Sequence, residues 1–245
     1  MIPTPYVKYS LIIPAYNEEV RIRQLFDDIR GFDGELIVVC DGTDGTADVV
    51  DTIATQRPGL TVRCLRIDHR LGKGGGVIAG LTEARSRLVG YCDADGSTSI
   101  EEMKHLFCML PAVDGVIGSR WVTGSTSTVR QSILRQLESR AFNLLIRVLF
   151  GLTYYDTQCG AKVFRKSVIE EVLPQMVSKG FEFDVELLWR LNRVGYRVIE
   201  VPITWQNKGD SRVRKGDMVR MLIGLLTVRF GIRHTDKKQV AGVID

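Results

Sequence analysis

The sequence predicts an α/β fold, a mostly parallel central sheet with helices on both faces, and three observations predict it. Apolar or β-branched runs at 9–13 (YSLII), 35–39 (ELIVV), 61–67 and 88–92 alternate with helical patterns through the first half of the chain. Each run ends in a polar turn that leads into the next helical pattern, as parallel strands with right-handed crossovers require. Acidic clusters stand just after three of the runs: PAYNEE at 14–19, DGTDGT at 41–46 and DAD at 93–95. In such sheets ligands bind at the carboxyl ends of the strands, so these clusters mark one edge as the place to seek chemistry.

Size and composition fit that class. The chain has 245 residues, 44% apolar and 25% charged, enough for a sizeable core and unlike a disordered or fibrous protein. Its five cysteines are odd in number, with no CxxC pair and no histidine at zinc spacing. Neither a disulfide framework nor a structural metal is indicated, and all five are expected as reduced core thiols. No run reaches about 18 apolar residues and no signal-peptide pattern opens the chain, so neither a spanning helix nor secretion is expected. The net charge is +4, yet residues 212–238 alone carry eight Lys or Arg against Asp217 and Asp236, a net of +6. An anionic partner is therefore expected at this tail. Nucleic acid is a poor fit, because aliphatic residues rather than stacking aromatics interleave the basic ones.

The second half changes character. Residues 131–150 read as a helix in which Ile133, Leu134, Leu137, Ala141, Leu144, Leu145, Val148 and Leu149 form one stripe. Phe142, Ile146 and Phe150 form a second stripe, leaving Arg140, Asn143 and Arg147 as the polar edge. Burial and a position in a membrane surface are equally consistent with this pattern. A second apolar segment, 218–230, lies among the basic residues and reads either as an interfacial helix or as a helix docked on the core.

Individual residues suggest the chemistry. Asp93 and Asp95, two apart after a strand, can close on one hard divalent cation, Mg²⁺ or Mn²⁺, which also takes phosphate oxygens; the alternative is a pair of turn aspartates capping a helix near Ser99. Asp41 at a strand end can accept from a nucleobase or ribose, while Asp44 and Thr46 read as helix caps. The run GKGGG at 72–76 lacks the phosphate-loop spacing, since Ile67 and Gly74 stand where glycine and Ser or Thr are needed. It reads as a tight turn or as a close backbone approach to a diphosphate or to the metal loop. Arg135 and Ser139 lie four apart on one helix face, with Arg120 upstream and Ser211-Arg212 downstream, a set suited to an anionic lipid headgroup.

Seven segments occur in an informative order: PAYNEE, DGTDGT, GKGGG, DADGSTS, DTQCGAK (156–162), GFEFDVELLWR (180–190) and ITWQNKGDSR (203–212). From about residue 9 to 230 the chain resembles family 2 glycosyltransferases of GT-A fold, and most of all the branch acting on dolichyl phosphate. The resemblance implies one domain over 1–245, with 1–119 binding the nucleotide sugar and 120–245 the acceptor, the latter through amphipathic membrane-surface helices. It implies inverting transfer of a glucose or N-acetylglucosamine type sugar from a UDP-sugar, in preference to a GDP-sugar, to a polyprenyl (dolichyl) phosphate.

Carried over by residue, the resemblance gives Pro14, Tyr16, Glu18 and Asp41 to the nucleoside, with Lys73, Ala94 and Gln158 also lining the nucleotide sugar. Asp93 and Asp95 would hold the metal and diphosphate; Arg120, Arg135, Ser139 and Arg212 would hold the lipid phosphate. Asp95, Asp156 and Arg120 would be catalytic, Asp156 as a base or an orienting group. Two positions depart from the pattern: Ser97 stands where some mannosyl enzymes carry Gln, and Arg212 replaces a more usual Lys. Many relatives continue into C-terminal membrane helices that this sequence lacks, which implies a peripheral protein on the cytoplasmic face. Two other readings remain at this point, a family 2 enzyme with a soluble or polysaccharide acceptor, and a sugar-nucleotide binder or pyrophosphorylase.

Overall fold

The computed structural model describes residues 8–29, 31–127, 133–206 and 215–231, without the side chains of 127, 133–139 and 215–218. Strands β1 (Ser10–Ala15), β2 (Glu35–Cys40), β3 (Thr61–Arg66), β4 (Leu88–Tyr91) and β5 (Gly115–Ser119) form one sheet with two later strands. A short strand β6 (Thr126–Ser127) follows β5, then β7 (Lys162–Arg165), β8 (Val198–Pro202) and β9 (Thr204–Trp205). The seven-stranded order is β3-β2-β1-β4-β7-β5-β8, and β6 pairs with β9 in a separate ribbon. Every neighbour in the large sheet is parallel except at β7, which runs against both β4 and β5.

Strands β1, β2 and β4 are apolar along most of their length because both faces of the sheet are covered. Period-two alternation sends Leu11, Ile13, Leu36 and Val38 into one apolar layer. There they meet helices α1 (Glu19–Asp27), α2 (Thr46–Gln56) and, later in the chain, the helix Ile100–Met109. Ile12, Ile37, Val39, Val89 and Tyr91 face the other layer, against α3 (Gly72–Glu83). Numbering on, α4 is Ile100–Met109, and α5 (Ile133–Phe150), α6 (Lys166–Val172), α7 (Phe183–Val194) and α8 (Lys215–Phe230) join α3 on the second face. Ser99 caps α4, its hydroxyl accepting from Glu102 N at 3.2 Å, so the cap is the serine and neither aspartate upstream.

Three expectations need correction. The GKGGG run is neither a turn nor a loop; it is the first turn of α3. Glycine is a poor helix former, by about 1 kcal/mol per residue against alanine, and here packing overrides propensity. A Cβ on Gly74 would stand 2.5 Å from Phe183 Cβ, and one on Gly80 would overlap Ile12, so only glycine lets α3 lie this close to β1 and α7. On α5 the shorter stripe wins the core: Ile146 and Phe150 are buried, whereas Leu144, Leu145 and Val148 of the longer stripe are exposed. Asn143, read as part of the polar edge, is buried and its Oδ1 accepts from Thr157 Oγ1 at 3.1 Å. Finally, Cys40, Cys92 and Cys159 are buried free thiols and Cys64 is half-buried, but Cys108 is exposed.

Helix α8 buries Met221, Leu225 and Val228 and exposes Val219, Ile223 and Phe230. Among the described residues no helix is long and apolar enough to cross a membrane. At the amino edge of the sheet one carboxylate is fully enclosed. Glu35 Oε1 accepts from Ser10 Oγ (2.6 Å) and Arg85 N (2.8 Å), its Oε2 pairs with Arg63 (3.3 Å), and Ser86 N closes the cluster on Ser10 Oγ (3.0 Å).

Candidate active site

The loops after β1 and β2 are locked to each other by one asparagine. Asn17 adopts φ +54°, a left-handed conformation that asparagine tolerates better than most residues. Its Oδ1 accepts from Thr43 N (2.8 Å) and Asp44 N (3.3 Å), and a Cβ on Gly42 would overlap that oxygen. Asp44 in turn accepts from Thr46 N, Thr46 Oγ1 and Glu19 N, and Thr46 Oγ1 takes Glu18 N, so the two residues tie the loops together, whereas the N-cap of α2 is Gly45 with no side-chain cap and not Asp44 or Thr46 as expected. Asp41, at the end of β2, uses Oδ2 to receive Leu71 N (2.9 Å) and Gly72 N (3.2 Å), which ties the strand to the start of α3. Arg70 stacks 3.4 Å from the ring centre of Tyr16. Pro14 packs against Gly76, and Glu18 pairs with Arg21 on its own helix at 2.7 Å. A cavity of about 270 Å³ opens beside these loops, lined among others by Cys40, Gly42, Thr43, Thr46 and Arg66.

After β4 the two aspartates take different surroundings. Asp95 Oδ1 accepts from Ser97 N at 2.8 Å, which fixes the turn, and Ala94 between them is buried. Asp93 Oδ1 meets Lys73 Nζ at 2.9 Å, and that ammonium also contacts Asp184 Oδ2 at 3.3 Å. Asp184, on α7, receives Lys162 Nζ (2.7 Å) and Tyr91 OH (2.7 Å) on its other oxygen, and Lys162 Nζ also donates to the carbonyl of Cys159. Burial by itself would raise the Asp184 carboxyl, but Lys162 and Lys73 hold it below the ordinary range. Lys73 likewise stays charged: burial lowers it, and Asp184 and Asp93 more than compensate. Gly160 makes the approach possible, since any Cβ there would overlap the Asp93 carboxylate.

On the far side of β7 stands a second ion pair. Arg120, following β5, binds Asp156 in fork geometry, Nε to Oδ2 at 2.7 Å and Nη2 to Oδ1 at 2.8 Å, and its own backbone N–H adds a third bond to Oδ2 at 3.0 Å. Asp156 is fully buried, and Glu200 of β8 receives the N–H groups of Tyr155 and Asp156 at 2.8 and 2.7 Å. Burial would raise Asp156, yet Arg120 and then Lys162 keep it ionised and low. Gln158 Nε2 lies 2.9 Å from Met221 Sδ on α8. Burial pushes the Cys159 thiol up to about 12, so it is no nucleophile at neutral pH.

Residues 10–173 match the profile of Glycosyl transferase family 2. The chain belongs to that family. It is a glycosyltransferase, and its fold is that of the GT-A enzymes. It is 31% identical over 242 residues to a dolichyl-phosphate beta-glucosyltransferase of Trichomonas vaginalis, covering 91% of this chain and 71% of that one. It is 34% identical over 216 residues to an undecaprenyl-phosphate mannosyltransferase of Micrococcus luteus, covering 84% and 87%. Among solved structures, glucosyl-3-phosphoglycerate synthase from Mycobacterium tuberculosis, in complex with Mn²⁺, UDP-glucose and phosphoglyceric acid, superposes with a TM-score of 0.67 at 18% identity, over 94% of this chain and 82% of that one.

In this family 2 glycosyltransferase the sheet gathers Asp41, Lys73, Asp93, Asp95, Arg120 and Asp156 at one edge. The side chains of Arg135 and Ser139 and all of Arg212 lie outside the described residues. Asn17, Lys162, Asp184 and Glu200 were not singled out from sequence, although Lys162 and Asp184 fall inside the DTQCGAK and GFEFDVELLWR segments. Among the described residues no cluster of three His, Cys, Asp or Glu side chains surrounds a metal position. Asp93 and Asp95 nevertheless fit a hard cation that keeps waters and takes phosphate oxygens, because their donors are all oxygen and the Asp93 side chain remains partly open to solvent.

Proposed function

We propose that this glycosyltransferase moves a sugar, of glucose or N-acetylglucosamine type, from a UDP-sugar to a polyprenyl (dolichyl) phosphate with inversion at the anomeric carbon. The observation that carries the reading is the pairing of two charged stations on either side of β7: Lys73 with Asp93 and Asp95 on one side, Arg120 with Asp156 on the other. One suits a diphosphate leaving group and the other a phosphate nucleophile. The names of the Trichomonas and Micrococcus relatives, both of which use polyprenyl phosphates, support the acceptor class. We further assign the protein to the cytoplasmic face of a membrane, held peripherally, as one domain whose first 119 residues serve the donor and whose remainder serves the acceptor.

In this mechanism an ionised phosphate oxygen of the acceptor attacks the anomeric carbon, the bond to the diphosphate breaks, and its electron pair stays on the leaving group. An ionised phosphate needs positioning more than proton removal. Asp156 therefore serves as the holder of Arg120, since both its oxygens are engaged by that residue, and Arg120 offers its remaining N–H donors to the acceptor. Pro14, Tyr16, Glu18 and Asp41 cradle the nucleoside, with Asp41 Oδ1 the oxygen left for it; Ala94 and Gln158 border the sugar. Lys73 faces the diphosphate beside Asp93, and Asp184 keeps it charged and in place. A Mg²⁺ or Mn²⁺ held by Asp93 and Asp95 would supply further neutralisation of the leaving diphosphate. Arg135, Ser139 and Arg212 complete the lipid-phosphate site in this proposal.

The test is transfer of labelled sugar from a panel of UDP- and GDP-sugars into organic-extractable polyprenyl phosphate, with and without divalent metal. Metal-dependent label in the lipid, lost in Asp95→Ala, is the expected result, and the anomeric coupling constant of the product reads the inversion. Label only in water or in soluble acceptors would overturn the acceptor assignment.

A further inference from the structure

A groove of about 350 Å³ lies beside the Arg120 station and takes no part in the chemistry above. Trp121, Arg140, Asn143, Leu144, Arg147 and Tyr155 line it, and none of them is acidic. Arg140 and Arg147 stand two helical turns apart on one face of α5, so both point along the same groove. Their guanidinium groups are carried by aromatic rings, Arg140 at 5.3 Å from the Trp121 centroid and Arg147 at 4.8 Å from that of Tyr155. Neither arginine forms an ion pair among the described residues. Two cations thus flank a space whose lining, among the described residues, carries no acidic side chain.

The rim supplies the second half of the argument. Leu144, Val148 and Tyr155 are 59%, 77% and 56% exposed, unusual for an apolar set this dense. Apolar side chains around basic ones suit the headgroup boundary of a bilayer, where the arginines meet phosphates and the apolar groups enter the acyl region. We infer that this groove is a docking site for the phosphate headgroup of an anionic membrane phospholipid, separate from the acceptor position at Arg120. Trp121 lies between the two, its ring 5.9 Å from Arg120 on one count and 5.3 Å from Arg140 on the other. Headgroup capture would seat the acceptor side of the site against the bilayer. The inference draws on the proposed acceptor only in that both put the protein at a membrane, and the two are separable by experiment.

The experiment is flotation of the full chain with vesicles of phosphatidylcholine alone or containing phosphatidylglycerol, at two salt concentrations, for wild type and for Arg140→Gln with Arg147→Gln. Wild type is expected to prefer the anionic vesicles, and the double variant to bind them about 30-fold more weakly, from roughly 1 kcal/mol per arginine near the surface. Both positions are solvent-accessible, and an unchanged melting temperature confirms the fold of the variant. Equal binding of wild type to both vesicles, or full binding by the variant, would overturn the inference. So would a variant that floats normally yet no longer glycosylates a water-soluble short-chain polyprenyl phosphate, since the groove would then hold the acceptor. If wild type floats with anionic vesicles but glycosylates no polyprenyl phosphate, the acceptor reading fails and the groove stands.

Discussion

The two edges of the sheet bury carboxylates in opposite ways. At the amino edge Glu35 spends its oxygens on Ser10, Arg85 N–H and Arg63, and the cluster is sealed. At the carboxyl edge the chain of charges runs from Lys162 through Asp184 and Lys73 to Asp93, whose side chain is 41% exposed. A sealed network serves the fold, whereas a network with one end in solvent presents a charge that the fold has already oriented. Burial of polar groups alone would not have told the edges apart; what differs is whether the last member has a protein partner for every oxygen.

Substitutions should separate the two behaviours, and the largest effect is expected at the open end. Asp95→Ala should lower turnover about 10³-fold, the scale of removing one preorganised electrostatic group, with little change in melting temperature because Asp95 is half-exposed. Next, Asp184→Ala should cost stability about 3–5 kcal/mol by stranding two lysines in the interior, measured by urea unfolding. Glu35→Ala should cost a similar amount through Arg63 and Arg85 N–H while the folded fraction turns over at the wild-type rate; a fall in turnover would break the contrast between edges. A smaller effect is expected at Gly42→Ala, where the Asn17 carboxamide must move: a rise of about tenfold in KM for the nucleotide sugar, the equivalent of one moderate hydrogen bond. Smallest is the response to acid. Asp156 and Asp184 have folded pKa values below their unfolded ones, so their contribution is complete above about pH 4 and is lost as pH falls toward the folded values. Thermal melts from pH 6 to pH 3 should show stability falling only in the lower part of that range.

The donor half of the fold was legible because most strands there are apolar or β-branched runs followed by a turn, a pattern that period and punctuation reveal directly. Strand β7 was missed, being four residues with lysine and arginine at its ends. Its pairing is decided by what lies on either side in space, not by its own sequence. The helix at GKGGG was missed for a related reason: local propensity opposes it, and only the approach of Phe183 and Ile12 explains the glycines. Asp93 and Asp95 could be found from spacing. Asp184 could not, because FDVELL reads as an amphipathic helix start, and its meaning depends on lysines at 73 and 162 arriving from two other elements. The Arg120 and Asp156 pair was anticipated as two separate residues; that one holds the other is visible only once β5 and β7 lie side by side.

The reversed strand also acts as a ruler. Because β7 runs against its neighbours, the segment before it, carrying Asp156 and Gly160, emerges at the same edge as the segments after β4 and β5. The DAD loop and Arg120 therefore sit on the two strands flanking β7, about 10 Å apart by the spacing of hydrogen-bonded strands. That separation is graduated by backbone hydrogen bonds, which no side-chain substitution lengthens or shortens. Tolerance for different sugars and acceptors can then reside in the loops while the span between the two charged stations stays constant.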